Sequence, residues 1–165
     1  MAPGGERGPR PHALSSGEVV YFEDLTVGQH WRRGPTRLSA DRMIAFAREW
    51  DPQPFHLDPE AAARSRFGGL VASGAQTFAV AARLFTTTLG IAFVAGRGFD
   101  RIRLLRPLRP DVDVHLEVRV VRLKPGPHPD SGQVDFGLRL VDASGRVILS
   151  GTAETLVLRR DRSPR

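Results

Sequence analysis

Between Val112 and Val120, apolar and polar positions alternate without a break: Val112, Val114, Leu116, Val118 and Val120 against Asp113, His115, Glu117 and Arg119. A period of two predicts a strand with one buried face, because successive side chains leave opposite sides of a sheet. Val134, Phe136, Leu138 and Leu140 repeat the pattern. Val147 to Leu158 returns as a final strand after a turn at Asp142-Ala143-Ser144-Gly145. An earlier strand is predicted over Phe99 to Leu105, closed by Pro107 and Pro110, and Lys124 to Gly132, with its three prolines, predicts a mobile hairpin loop.

The first half of the chain follows a different period. Val19 to Trp31 predicts an extended lead-in with a turn at Gly28, and a first strand from about Gln29 to Leu38. Ser39 can cap a helix whose Met43, Phe46, Ala47 and Trp50 fall on one stripe. Asp58 and Pro59 open a short second helix as N-cap and first residue. The run from 75 to 90 is apolar nearly all round and predicts a helix buried in the core. A curved antiparallel sheet wrapped around one long central helix satisfies this order, an α+β architecture rather than a parallel βαβ one.

Composition adds limits. The 165 residues suffice for a single domain, expected over 18–158, between a disordered Gly/Pro/Ser-rich tail at 1–17 and a basic tail at 159–165. There is no cysteine, which excludes disulfides, thiolate nucleophiles and cysteine zinc sites. The run 70–95 is broken by Ser73, Gln76, Arg83 and four threonines, so no membrane span is expected. Arg7 and Arg10 precede no hydrophobic stretch, so no secretory signal is expected and the address is read as cytoplasmic. The formal charge of +6 invites a nucleic-acid reading, but Arg7, Arg10, Arg159, Arg160, Arg162 and Arg165 place most of it in the two tails. No nucleic-acid partner is expected. Lys124 is the only lysine.

Candidate chemistry concentrates in Asp51-Pro52-Gln53-Pro54-Phe55-His56-Leu57-Asp58. Asp and His form a common pair for holding and activating water, and the two prolines stiffen the turn that presents them. The same composition also suits an ordinary surface turn. What favours chemistry is the Ser73-Gly74 start of the apolar helix, whose free N–H groups suit a developing oxyanion. His12, His30, His115 and His128 lack metal-ligand spacing, so no metal is expected. Gly96-Arg97-Gly98 lacks the rest of a phosphate loop and is read as turn glycines.

The lead-in Tyr21-Phe22-Glu23-Asp24-Leu25-Thr26-Val27-Gly28, the turn from Asp51 to Asp58, and the Phe67-Gly68-Gly69 and Ser73-Gly74 pairings together resemble the MaoC-like dehydratases. Arg106-Pro107-Leu108-Arg109-Pro110-Asp111 is similar to that family's proline-bounded turn, and the resemblance covers roughly 20–158. The family includes (R)-specific enoyl-CoA hydratases and has the hotdog fold, with a helical overhang carrying the catalytic loop. The resemblance implies reversible addition of water to a trans-2-enoyl thioester, usually of coenzyme A, which enters as substrate with no separate cofactor. It implies Asp51 and His56 as the water-holding dyad and the Gly74 N–H as donor to the thioester oxygen. Ser73 stands where the family often has His, and Gln53 where it usually has Asn; Ser73 is therefore a candidate thioester contact. Arg103 and Arg106, with Arg101 and Arg109, are candidates for coenzyme A phosphates, against a solvated strand edge as the other reading. A homodimer or higher multiple is implied, with the site near the subunit interface. A thioesterase on this fold would typically place a carboxylate on the central helix, and 75–90 contains none. A non-catalytic acyl-CoA-binding or assembly subunit would be expected to lack the dyad.

Overall fold

The alternation in the second half does form strands, and they join into one antiparallel sheet. A computed structural model describes residues 19–160. Its strands are β1 (His30–Thr36), β2 (Phe93–Leu104), β3 (Val114–Pro125), β4 (Ser131–Asp142) and β5 (Val147–Leu158), in the order β1-β3-β4-β5-β2. The helices are α1 (Ala40–Trp50), α2 (Pro54–Leu57), α3 (Pro59–Arg64) and α4 (Gly74–Thr88). Register explains why the pattern works. Val118 pairs with Leu138 and Val120 with Phe136, so the inward rows of neighbouring strands coincide. Those side chains, with Leu84 and Phe85 of α4, make the buried core. Phe136 meets Phe85 edge-on at 5.2 Å and Trp31 at 6.4 Å. This is the expected curved antiparallel sheet around a central helix. No helix among the described residues is long and apolar enough to cross a membrane.

Several elements differ from expectation. β2 begins at Phe93, so Gly96 and Gly98 lie in a strand and not a turn. Register shifts beside them break the period of two, which is why the pattern before Phe99 was silent. Pairing of β3 and β4 runs out to Pro125 and Gly132, which shortens the expected loop to 126–130. α4 is not covered all round: Ala75, Ala79 and Arg83 are exposed while Ala81, Leu84 and Phe85 are buried. A single sheet covers one face of a helix, and alanines make the other face look apolar in sequence. Trp50, placed on the buried stripe of α1, is 66% exposed, whereas Met43 and Ala47 are buried.

The chain end also does more than the word tail suggests. The Arg159 guanidinium stacks over Phe22 at 4.5 Å and pairs with Glu23 at 3.2 Å. Arg160 lies over Tyr21 at 4.9 Å and contacts Asp24 at 2.7 Å. Both fasten the lead-in turn at Phe22–Asp24 to the end of β5. Residues 1–18, which include the expected N-terminal tail, and 161–165 lie outside the described residues.

Candidate active site

Helix α1 ends where proline forbids its continuation. Asp51 follows Trp50, its N–H still bonded to the Ala47 carbonyl at 3.0 Å, but its backbone has left helical geometry (φ −156°, ψ 70°). Pro52 comes next and Pro54 starts α2, the one-turn helix that carries His56. The sequence predicts a proline-stiffened turn here; part of it is a short helix, which adds to that stiffness.

Within it Asp51 and His56 face each other, with 3.5 Å between the carboxylate Oδ2 and Nε2. The imidazole is buried and its other nitrogen, Nδ1, lies 2.8 Å from the Val71 carbonyl. A carbonyl only accepts, so Nδ1 carries a proton and Nε2 is free to accept one. The second carboxylate oxygen, Oδ1, accepts from the Gln53 side-chain amide at 3.1 Å. Phe55 packs edge-on to His56 at 4.5 Å and against Phe67 at 5.2 Å. Asp58 is not part of the pair: its carboxylate caps α3, accepting from Glu60 N–H at 2.7 Å.

The start of α4 lies across the same cavity. Ser73 is fully buried, and its hydroxyl oxygen caps the helix by accepting from Gln76 N–H at 3.1 Å. Thr77 and its hydroxyl both donate to the Ser73 carbonyl. The N–H groups of Gly74 and Ala75 find no acceptor among the described residues. Leu104 lies over Gly74 so closely that a Cβ there would stand 2.5 Å from its Cδ1.

The cavity measures about 380 Å³ and is lined by His56 and Gly74 together with Phe55, Phe67, Leu104 and Leu108. Arg106 also lines it and donates to the Val147 carbonyl at 3.0 Å. Arg103 does not reach it; it sits exposed on β2, opposite Ser150. Arg109 donates to the Phe67 carbonyl and so holds the loop that forms the wall. The site thus sets an acceptor nitrogen and the unbonded Gly74 N–H on an apolar space, with an oriented carboxylate beside the imidazole.

Residues 23–138 match the MaoC-like domain family. The chain belongs to that family. A MaoC-like dehydratase from Rhodospirillum rubrum is 38% identical, with a TM-score of 0.80 over 86% of this chain and 99% of that one. The (R)-hydratase from A. caviae involved in PHA biosynthesis is 25% identical, with a TM-score of 0.66 over 83% of this chain and 99% of that one. The uncharacterised protein YdeM of Bacillus subtilis (strain 168) is 32% identical over 106 residues, 63% of this chain and 75% of its own length. A Mycobacterium tuberculosis protein with a double hotdog fold shares 20% identity and a TM-score of 0.73, over 89% of this chain and 47% of that one. The fold is therefore the hotdog expected from sequence. MaoC-like membership supports hydratase or dehydratase activity in general.

Val71 and Gln53 were not foreseen as the two anchors of the dyad. Gln53 stood out in sequence only as a departure from the usual Asn; nothing in the sequence marked the Val71 carbonyl.

Proposed function

We propose that this chain reversibly adds water across the trans-2 double bond of an enoyl thioester, giving a 3-hydroxyacyl thioester, with coenzyme A as the carrier. The observation that carries the reading is the pairing of His56 Nε2 with Asp51 Oδ2 at 3.5 Å, the imidazole opening on the cavity that Gly74 shares. A water between those atoms donates one hydrogen to Nε2 and one to the carboxylate. As one of them takes the proton, the hydroxide adds to C3 and electron density moves onto the thioester oxygen. The Gly74 N–H stabilises that charge, and the dyad returns a proton to C2, so the addition balances with no other reactant. Base and acid are roles that the two residues share. Acid–base assistance of this kind contributes ~10²–10⁴ in rate, and one oxyanion donor about 3–4 kcal/mol.

Arg106 at the cavity wall suits the phosphates of the carrier. The homodimer reading is supported by β2, a twelve-residue edge strand with Val94, Phe99 and Leu104 each at least half exposed. An unprotected edge of that length favours pairing with a second copy.

The test is loss of enoyl-thioester absorbance with crotonyl-CoA, comparing wild type, Asp51→Asn and His56→Ala, with folding checked by circular dichroism. Turnover should fall at least ~10²-fold in each variant. Turnover that survives both substitutions removes the dyad assignment. Absence of turnover in wild type, with longer and branched enoyl-CoAs also inert, would favour a non-catalytic acyl-CoA binder.

A further inference from the structure

A second cavity lies apart from the one holding His56. It is a trough of about 1040 Å³ on the opposite face of the sheet, and the two cavities share no lining residue. Two rows of outward side chains cross the strands there. One runs Arg32, Glu117, Arg139, Ser150; the other runs His30, Arg119, Gly137, Thr152. They alternate with Leu116, Val118, Leu138 and Leu140, which are buried on the α4 side, so the trough faces away from the helix.

Its charge is one-sided. Arg32, Arg101, Arg119 and Arg139 wall it against one carboxylate, Glu117, which Arg139 already engages at 3.0 Å. The Arg32 and Arg119 guanidiniums find no acceptor among the described residues. Arg101 pairs with Asp100 at 2.9 Å and occupies a left-handed backbone position, φ 49°, at a register shift of β2. Such a conformation is uncommon for a residue other than glycine, and bulges re-aim side chains. The middle of the trough is kept open by Gly137, whose Cβ position would lie 3.1 Å from Val121.

We propose that this trough is a second binding site, for a phosphate ester of nucleotide size. Arg32 and Arg119 supply bidentate guanidinium contacts to the phosphates. The Ser150 and Thr152 hydroxyls face the sugar, and the half-exposed Val121 offers an apolar surface to a base ring. The volume lies just above the ~300–1,000 Å³ usual for small-molecule sites, well beyond a lone inorganic ion. A second copy of the chain is a poor occupant, since a two-fold contact through this face would set the arginines against one another. The inference stands apart from the hydratase reading.

The experiment is calorimetric titration of the full chain with ADP, with adenosine and pyrophosphate as the two halves of the probe. Saturable binding of one ADP per chain is expected, stronger than adenosine and weakened by salt. Arg119→Gln and Arg32→Gln should each weaken it about tenfold, the loss of roughly 1.4 kcal/mol, and Gly137→Val should block it. Arg106→Gln, at the wall of the other cavity, should bind ADP as wild type does, and unchanged thermal unfolding of the Arg32 and Arg119 variants shows that they fold. No saturable heat in wild type overturns the proposal. So does undiminished affinity in both the Arg32 and Arg119 variants, or loss of binding in Arg106→Gln, which would place ADP in the cavity beside His56.

Discussion

Replacing Gln53 by Leu removes one interaction whose effect can be worked from the geometry. The Gln53 amide donates to Asp51 Oδ1 at 3.1 Å, and Oδ2 is the oxygen that faces His56. With the amide gone the carboxylate can rotate about its Cβ–Cγ bond, and the oxygen that should meet the water is no longer fixed. A hydrogen bond to a charged group contributes roughly 1.5–3 kcal/mol. Here Gln53 is exposed and the Asp51 side chain is 27% accessible, so water competes. Solvent competition brings the value to about 1–1.4 kcal/mol, a five- to tenfold effect on rate.

The assay is steady-state hydration of crotonyl-CoA by wild type, Gln53→Leu, Gln53→Asn and Gln53→Glu. For Gln53→Leu the loss should appear in kcat, about five- to tenfold, with KM changed less than about twofold, because the interaction orients the dyad and does not touch substrate. Gln53→Asn keeps a donor on a shorter arm and should recover part of the rate. Gln53→Glu sets a second carboxylate against Asp51 and should lose more than Gln53→Leu. A rise in KM at constant kcat, or equal rates in all four proteins, refutes the positioning argument.

Gly74→Ala puts a methyl against Leu104 and should cut kcat/KM while shifting stability by less than about 1 kcal/mol, since alanine favours the helix; Leu104→Ala added to it should restore activity, read as a double-mutant cycle. Asp142 is held well below the usual carboxylate range, first by the Ser144 hydroxyl and then by Arg146, against an opposing desolvation. A depressed folded value contributes stability above the unfolded value, about 3.9, that is lost as pH falls. Asp142→Asn should therefore lower the Tm at neutral pH, and the gap to wild type should narrow as pH drops below about 4; a gap independent of pH would refute this.

What could be read from the sequence was local. The strand over Val114 to Val120 is legible because side-chain alternation is a property of neighbours, and the proximity of Asp51 to His56 because two prolines fix the turn between them, while their roles rest on the resemblance to the family. What joins distant segments was not legible. The Val71 carbonyl that sets the His56 tautomer lies 15 residues along the chain, and nothing in Val71 itself announces it. Leu104 over Gly74 depends on how the end of β2 meets the start of α4. The beginning of β2 was missed because bulges beside Gly96 and Gly98 erase the periodicity that sequence reading relies on. Trp50 looked buried because it continues a helical stripe, but the helix ends at it and the stripe has nothing left to pack against.

These failures and successes follow one division in the molecule. The parts that perform the proposed chemistry sit on a helix stop and a helix start, Asp51 just after α1 and Gly74 at the beginning of α4. The Gln76 side-chain amide ties the two helices together, donating to the Arg42 carbonyl at 3.0 Å. Their spacing is therefore set by packing of regular elements, which hold a reacting group more closely than loops do. The walls of the cavity are built differently. Phe67 stands on a loop held by Arg109, and Leu104 and Leu105, at 55% and 53% exposure, stand at the end of an edge strand. Apolar side chains left that open beside a cavity need a cover, which the acyl chain of the proposed substrate or a second copy across β2 in the proposed homodimer would supply. Substitutions at Phe67, Leu104 and Leu105 should thus change which acyl group is accepted, while the rate with the best substrate stays tied to Asp51, His56 and the start of α4.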